Sequence, residues 1–392
     1  MSNIVNGNAA IVGIGATEFS KNSGRSEMQL AVESVSAALS DAGLRGSDID
    51  GVCSLGMDNN WDFEVFRQVG GRHLKFFATS PHGGGQAIAP LFHAAMAVSS
   101  GACEAVVIYR AMNERSGFRF GSGKLLSEDP NNPAVIHFSW TNPFGLMTPA
   151  SWIAMNARRY MADYGATSED FGRVTVAMRD FAATNPKAFF HNAPITLADH
   201  QASRLIADPL RLLDCCQESD GAVALVITRT ERARDLKHTP AIIAAISQSA
   251  VQSTAMMTPY YSGSISEAPE LAAIAPALFE AAGIKPADID VGCLYDHFSP
   301  AVLFQLEAFG FCPRGEARHF IREQGIGRAG RLPVNPHGGQ LGEGYIHGFN
   351  GLAEAVRQVR GTSVNQVEGA EWTIVTGAAP GVPTSAAILR KG

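Results

Sequence analysis

Wholly apolar runs of strand length alternate along this chain with longer stretches whose apolar positions recur at helical spacing. Residues 9–15 form the first apolar run, and Glu27–Ala42 carries helix periodicity up to Gly43, a residue suited to a left-handed C-cap. A strand is predicted over 50–55, a buried helix over 86–100 ending at Gly101, and a central strand over 105–109. That last strand is apolar throughout, as strands covered on both faces are. The stretch from Gln86 to Met112 is apolar overall, but His93, Ser99, Ser100, Gly101 and Glu104 interrupt it. It therefore reads as helix, turn and strand rather than a membrane span.

From Asn113 to about Leu213 the pattern changes: Gly, Pro, Asn and aromatic residues crowd 117–149, followed by amphipathic helical spacing over 151–164 and 169–184. This region is predicted to be an insertion that covers a site. Regular structure resumes at Ser219-Asp220-Gly221, a turn expected to be structural, and the strand 222–228. From Pro240 the programme repeats, with an apolar run at 240–243, a helix over 269–282, a strand over 291–295, a helix over 348–360 and a strand over 372–376. The repeat is also literal. Ala42-Gly43-Leu44-Arg45-Gly46-Ser47-Asp48-Ile49-Asp50 with Cys53 is answered, in register, by Ala282-Gly283-Ile284-Lys285-Pro286-Ala287-Asp288-Ile289-Asp290 with Cys293. Ser80-Pro81-His82-Gly83-Gly84 is answered by Asn335-Pro336-His337-Gly338-Gly339. Two α/β halves follow, 1–238 (with the insertion at about 113–213) and 239–392, and duplicated halves bring their equivalent loops to one shared site.

Composition narrows the class. At 392 residues, 46% hydrophobic and 17% charged with 40 glycines, the chain suits a large α/β enzyme with tight loops. A net charge of −6 argues against nucleic acid as the main partner. Six cysteines, two of them adjacent (Cys215 and Cys216) and none in a CxxC pair, form neither a disulfide framework nor a zinc pair. Met1-Ser2-Asn3-Ile4 lacks a charged stretch followed by an apolar core, so a soluble, cytoplasmic protein without a leader or membrane contact is expected. Five arginines between Arg314 and Arg331 read as a solvated loop in preference to a phosphate contact. Gly13 and Gly15 lack the third glycine of a dinucleotide fingerprint, and that reading is rejected.

At these motifs the chain resembles the thiolase superfamily, over essentially its whole length. The resemblance implies an α/β thiolase fold: two duplicated βαβαβαββ halves in a five-layer αβαβα arrangement, with a loop domain inserted in the first half. It places His82, in His82-Gly83-Gly84-Gly85-Gln86, where thiolases carry the nucleophilic cysteine. Tyr295-Asp296-His297-Phe298 stands at the Asn-Glu-Ala-Phe motif, Tyr345 at the catalytic histidine, and Thr376 or its neighbour at the second cysteine. None of the six cysteines falls on a catalytic position; Cys53 and Cys293 occupy matching places, as a shared structural role requires. Claisen chemistry needs a thiolate to carry the acyl group. The opening Gly13-Ile14-Gly15-Ala16-Thr17-Glu18-Phe19-Ser20-Lys21, with Ser23-Gly24-Arg25-Ser26, and the run His337-Gly338-Gly339-Gln340-Leu341 through Glu343, Tyr345, His347-Gly348 and Asn350-Gly351, resemble the thiolase-like aldolases (lipid-transfer proteins) of bacterial steroid side-chain degradation. That resemblance implies retro-aldol cleavage of a bulky β-hydroxyacyl-CoA to a ketone and a short acyl-CoA. It also implies a homodimer through the sheet of the first half, and a complex with a small OB-fold protein bearing a zinc ribbon.

Such a reaction needs a base for the β-hydroxyl, donors for the thioester enolate and an acid for Cα. Tyr295 and Tyr345 are expected as base and acid, in an order the sequence leaves open. His82, at a helix start, is the candidate oxyanion donor, with His337 as its mirror and loop support as the structural alternative for each. Asp296 and His297 are expected to point to opposite faces of a strand, with His297 the one toward substrate. Gly83, Gly84, Gly338, Gly339, His347 and Tyr260 complete the expected substrate-binding set, although His347 and Glu343 could instead cap the next helix and Tyr260 could pack in a turn. No metal and no cofactor are expected, CoA being part of the substrate. Two other readings stay open: an acyltransferase using an atypical nucleophile such as Cys103 or Cys215, and a non-catalytic subunit that binds acyl-CoA.

Overall fold

A computed structural model of the chain describes residues 5–123, 129, 131–261, 263 and 265–392. The Met1–Ile4 segment, on which the leader expectation rests, lies outside the described residues, as does Ser262 in the Tyr260 turn. The strands are β1 (Ala9–Ala16), β2 (Gly51–Leu55), β3 (Phe76–Ser80), β4 (Ala105–Asn113), β5 (Leu205–Ala207), β6 (Leu210–Arg211), β7 (Asp220–Arg229), β8 (Ala241–Ser249), β9 (Val291–Cys293), β10 (Trp372–Gly377) and β11 (Thr384–Lys391). Two half-sheets, β3-β2-β4-β7-β1 and β8-β11-β10-β9, meet edge to edge where β1 and β8 share two residue pairs, Ala10 with Ile242 and Ile11 with Ala241. β2 runs parallel to β3 and β4, and β9 parallel to β10. The other pairings are antiparallel.

The Ala89–Ser99 and Phe349–Arg360 helices lie between the half-sheets: each packs on the strands of its own half and also reaches strands of the other. Glu27–Ala42 covers the outer face of the first sheet and Pro269–Ala282 that of the second. This gives the five layers that the resemblance implied. The Glu27–Ala42 helix starts at a Ser26–Gln29 capping box and stops at Gly43, whose φ of 73° a side chain would resist. Gly13 and Gly15 let that helix approach β1: a Cβ on either would lie 2.2 Å from a helix carbonyl oxygen.

Several boundaries shift from their sequence expectation. The strand predicted over 291–295 stops at Cys293, so Tyr295, Asp296 and His297 sit in an irregular segment rather than on a strand. The third strand of the second half shrinks to a single parallel bridge between Gly292 and Val334. Matching positions nonetheless hold: His82 follows β3 as His337 follows that bridge, and Cys53 and Cys293 are both buried, on β2 and β9.

The insertion supplies the Pro149–Tyr164 and Ser168–Thr184 helices. The arginine-rich segment clasps them instead of standing free in solvent. Arg322 holds the buried Asp170 with two bonds of 2.6 and 2.8 Å, Arg328 bonds Asp180 and Thr184, and Arg318 donates to the Gly165 carbonyl. The Ser219-Asp220-Gly221 turn is structural as expected: the Asp220 carboxylate accepts the backbone N–H groups of Ser23, Arg115 and Ser116. Among the described residues, no helix is long and apolar enough to cross a membrane.

Candidate active site

The irregular segment after β9 places Tyr295 by clamping its backbone. The Tyr295 N–H donates to Thr376 Oγ1 at 2.9 Å, and the Gln305 side-chain amide donates to the Tyr295 carbonyl at 2.7 Å. Thr376 thus anchors the Tyr295 backbone. Tyr345 comes from the loop before the Phe349–Arg360 helix, and its N–H donates to Ser219 Oγ at 3.3 Å. The two side chains converge, hydroxyl to hydroxyl, at 3.1 Å, both buried. Burial pushes both phenols above their usual range. A free tyrosinate is therefore not preformed. The contact between them lets either hydroxyl be the donor, so a proton can pass along it in either direction.

The first half contributes the floor. A Cβ on Gly84 would lie 1.6 Å from the Tyr295 hydroxyl, and one on Gly83 would lie 2.8 Å from Met57 Sδ and 3.5 Å from His347 Nε2. His347 has a backbone φ of 49° and its ring packs 5.1 Å from that of Tyr345. Its Nδ1 accepts a 3.0 Å bond from Arg110 Nε, so the proton of the neutral ring sits on Nε2, the atom beside Gly83. Burial, with Arg110 adding to it, holds this imidazole well below the usual histidine range. Arg110 is in turn held by Asp58 at 3.0 Å, with both side chains buried. Breaking one partner of such a pair typically costs about 3–5 kcal/mol.

His297 is buried with neither ring nitrogen bonded, its ring 4.9 Å from that of Tyr295. Burial lowers it to about 3, so it is neutral and has a donor and an acceptor free. This has a consequence for stability. The unfolded ring titrates near 6.5 and the folded one near 3. Its contribution is full above about 6.5 and is lost as pH falls toward 3. Urea midpoints should therefore drop between pH 7 and 5 in the native chain, and less so in His297→Phe; equal drops would assign the acid sensitivity to other groups.

The remaining candidates lie elsewhere. Asp296 turns away from the tyrosines to accept the Gln340 N–H at 2.8 Å and the Leu341 N–H at 3.3 Å, and burial lifts it to about 6. Gly338 and Gly339 pack against Ala182 and Asp296 respectively. His337 is buried 3.9 Å from Glu343, which also meets Asn185, Asn350 and Arg357, so this pair braces the loop. His82 is exposed in a left-handed conformation, φ 70°, outside the buried cluster. Tyr260 donates to the Trp152 carbonyl in the inserted region. All six cysteines are free; burial and nearby carboxylates push Cys103 up to about 12 and raise Cys215 as well. Among the described residues no group of three His, Cys, Asp or Glu side chains is placed to hold a metal ion.

Sequence reading missed Asp58, Arg110 and Glu114. The last two sit at the end of β4 and line a cavity of about 540 Å³ together with Met57, Met112, Phe118 and Phe120.

Residues 253–390 match the family described as Thiolase C-terminal domain-like. A steroid side-chain-cleaving aldolase from Thermomonospora curvata is 55% identical over 386 residues, covering 98% of each chain. The chain belongs to the thiolase-like aldolases. A second member, the 17-hydroxy-3-oxo-4-pregnene-20-carboxyl-CoA lyase of Mycobacterium tuberculosis, is 54% identical over 98% of this chain and 100% of its own. Among solved structures, the Ltp2-ChsH2(DUF35) aldolase superposes with a TM-score of 0.94 at 54% identity, covering 99% of both chains. The tyrosine pair stands where the two halves meet, with Gly84 of the first half against the Tyr295 hydroxyl.

Proposed function

We propose that this carbon–carbon lyase cleaves the Cα–Cβ bond of a bulky β-hydroxyacyl-CoA of the steroid side-chain type by a retro-aldol reaction, with Tyr345 and Tyr295 as a proton relay. The hydroxyl-to-hydroxyl contact of 3.1 Å carries the reading. Tyr345 accepts the β-hydroxyl proton as it passes its own to Tyr295. The Cα–Cβ bond breaks, its electron pair moves into the thioester enolate and the ketone forms. Tyr295 gives its own proton to Cα in the same concerted shift, so neither phenol ever carries two protons; a short acyl-CoA leaves, and the pair ends with the protons it began with. Such a relay needs no free tyrosinate, which burial disfavours. His347 Nε2–H, directed at Gly83, is the donor to the thioester oxygen, and His297 contacts the substrate next to Tyr295. Gly83 and Gly84 keep the floor open. His82 at the rim, the Gly338–Gly339 turn with His337, and Tyr260 shape the surroundings.

The similarity to aldolases and CoA lyases over the full length supports this reading. The raised thiols of Cys103 and Cys215 are the opposite of what an acyltransferase nucleophile needs. The solved relative's name couples two components, which supports a complex with a partner, here the small OB-fold, zinc-ribbon protein. Strand β3, at the sheet edge with Phe77 68% exposed and the stacked Trp61 and Phe63 close in sequence, supports pairing with a second copy. The free cysteines accord with a cytoplasmic setting.

The test is product analysis of the chain with its partner on a tertiary β-hydroxyacyl-CoA, with the sedimenting mass read on the same preparation. A ketone and a short acyl-CoA in equal amounts, with no free CoA consumed, and a two-copy core are expected. Acyl groups moved onto free CoA would restore the acyltransferase, and silence would leave a binding subunit.

A further inference from the structure

Glu114 has no role in the relay above, yet its placement is unusual. Arg110, Met112 and Glu114 alternate along and just beyond β4, so their side chains share one face, and all three line the 540 Å³ cavity. The cavity also takes in Met57, whose sulfur meets the open corner above Gly83 where His347 Nε2 sits. Two other lining residues touch His347, Arg110 through its bond to Nδ1 and Phe120 with its ring 5.7 Å away, so Glu114 lines a cavity whose wall packs on the His347 ring.

The carboxyl is 4% exposed; one oxygen takes the Phe120 N–H, and Oε2 is buried with no partner. The cations facing it are already committed, Arg110 to Asp58, His347 and the Ala111 carbonyl, and Arg119 to Glu218. Of the remaining groups that bear on it, Glu218 would repel a charge, with Glu27 on the cavity wall, while the Cys216 thiol and both phenols are held neutral and offer no charge to offset it. A carboxylate here would leave a charged oxygen buried without a bond, which costs several kcal/mol; a carboxylic acid carries a hydrogen it can give. Burial and Glu218 hold the group well above the usual carboxyl range, in accord with that geometry.

We propose that Glu114 is a further catalytic residue: a neutral carboxylic acid whose Oε2–H donates to the thioester oxygen on which charge gathers as the Cα–Cβ bond breaks, opposite the Nε2–H of His347. The proposal rests on the aldolase reading above. Two neutral donors on one oxygen stabilise an enolate without surrendering a proton to it. This keeps proton movement in the tyrosine pair.

The test is steady-state kinetics of the complex on the β-hydroxyacyl-CoA across pH, with Glu114→Gln and Glu114→Leu. Glutamine keeps a donor of the same length and should retain kcat within about tenfold, whereas leucine should lose about 10²- to 10³-fold in kcat with a smaller change in KM. Native activity should fall on the alkaline side as Glu114 ionises, and that limb should vanish in Glu114→Gln. The pH profile of the glutamine variant decides alone if the leucine variant does not fold. Glutamine falling as far as leucine would mean a carboxylate base, and a leucine variant within threefold of native would mean no contact; either overturns the proposal. A native complex that cleaves nothing removes the aldolase reading itself, whereas a cleaving complex indifferent to Glu114 removes only this residue.

Discussion

Tyr345→Phe is expected to lower kcat by about 10²- to 10⁴-fold, the range that one positioned proton-transfer group contributes. The substitution removes one oxygen and leaves the scaffold. The Tyr345 N–H still reaches Ser219, and the ring still packs on His347. What goes is the proposed entry point of the relay, the hydroxyl that receives the substrate's proton and passes its own across the 3.1 Å contact. Tyr295→Phe should cost a similar factor by removing the exit. The double variant should be little worse than either, because two groups that pass one proton act as a unit. Single-turnover release of the ketone reads all three. A Tyr345→Phe enzyme that keeps a tenth of native kcat would put the base elsewhere, His297 being the nearest candidate with a free acceptor.

The architecture was legible because it rests on local signals. The Glu27–Ala42 helix announces itself by period, cap and C-terminal glycine, and the matched Ala-Gly-x-x-x-x-Asp-Ile-Asp segments place Cys53 and Cys293 on equivalent strands. The tyrosine pair was legible through motif position, since Tyr295 and Tyr345 stand in loops whose register the repeat and the resemblance set. Arg110 and Glu114 were not. Each closes or follows an apolar strand whose pattern signals only burial, and the partner that gives Arg110 its meaning, His347, is 237 residues away. His82 misled for the opposite reason. Its place in a repeated motif suggested a shared role, but the sequence does not carry backbone handedness. At φ 70° the side chain is exposed, and the glycines after it come to the floor of the site. The arginine-rich segment was read as solvated because its acidic partners, Asp170 and Asp180, lie in the inserted helices, about 150 residues earlier.

The floor glycines make the second large effect. Gly84→Ala is expected to cost at least about 10²-fold in kcat, comparable to losing the Tyr295 hydroxyl, although no catalytic atom is removed. Gly84 does not have a left-handed φ, so its backbone accepts an alanine; the obstacle is space. The new methyl would stand 1.6 Å from the Tyr295 oxygen and 2.1 Å from Cζ, distances no non-bonded carbon tolerates. Tyr295 cannot easily yield. Thr376 and Gln305 pin its backbone, and Gly348 also closes on the ring, where a Cβ would already lie 3.0 Å from Cδ2. Either the ring swings off Tyr345 or the Gly83–Gly85 turn lifts from the second half, where Gly85 passes close to Val382 and Pro383. Both disturb a site assembled from the two halves, which are also tied at this turn by the bond from Ser385 Oγ to the Gly85 carbonyl. Gly327→Ala, with open space around it and no positive φ, is the matched control and should leave kcat unchanged. If Gly84→Ala retained native kcat with an unshifted melting temperature, the close approach of the Gly84 backbone to the tyrosine pair would be wrong, and with it the convergence of the duplicated loops on one centre.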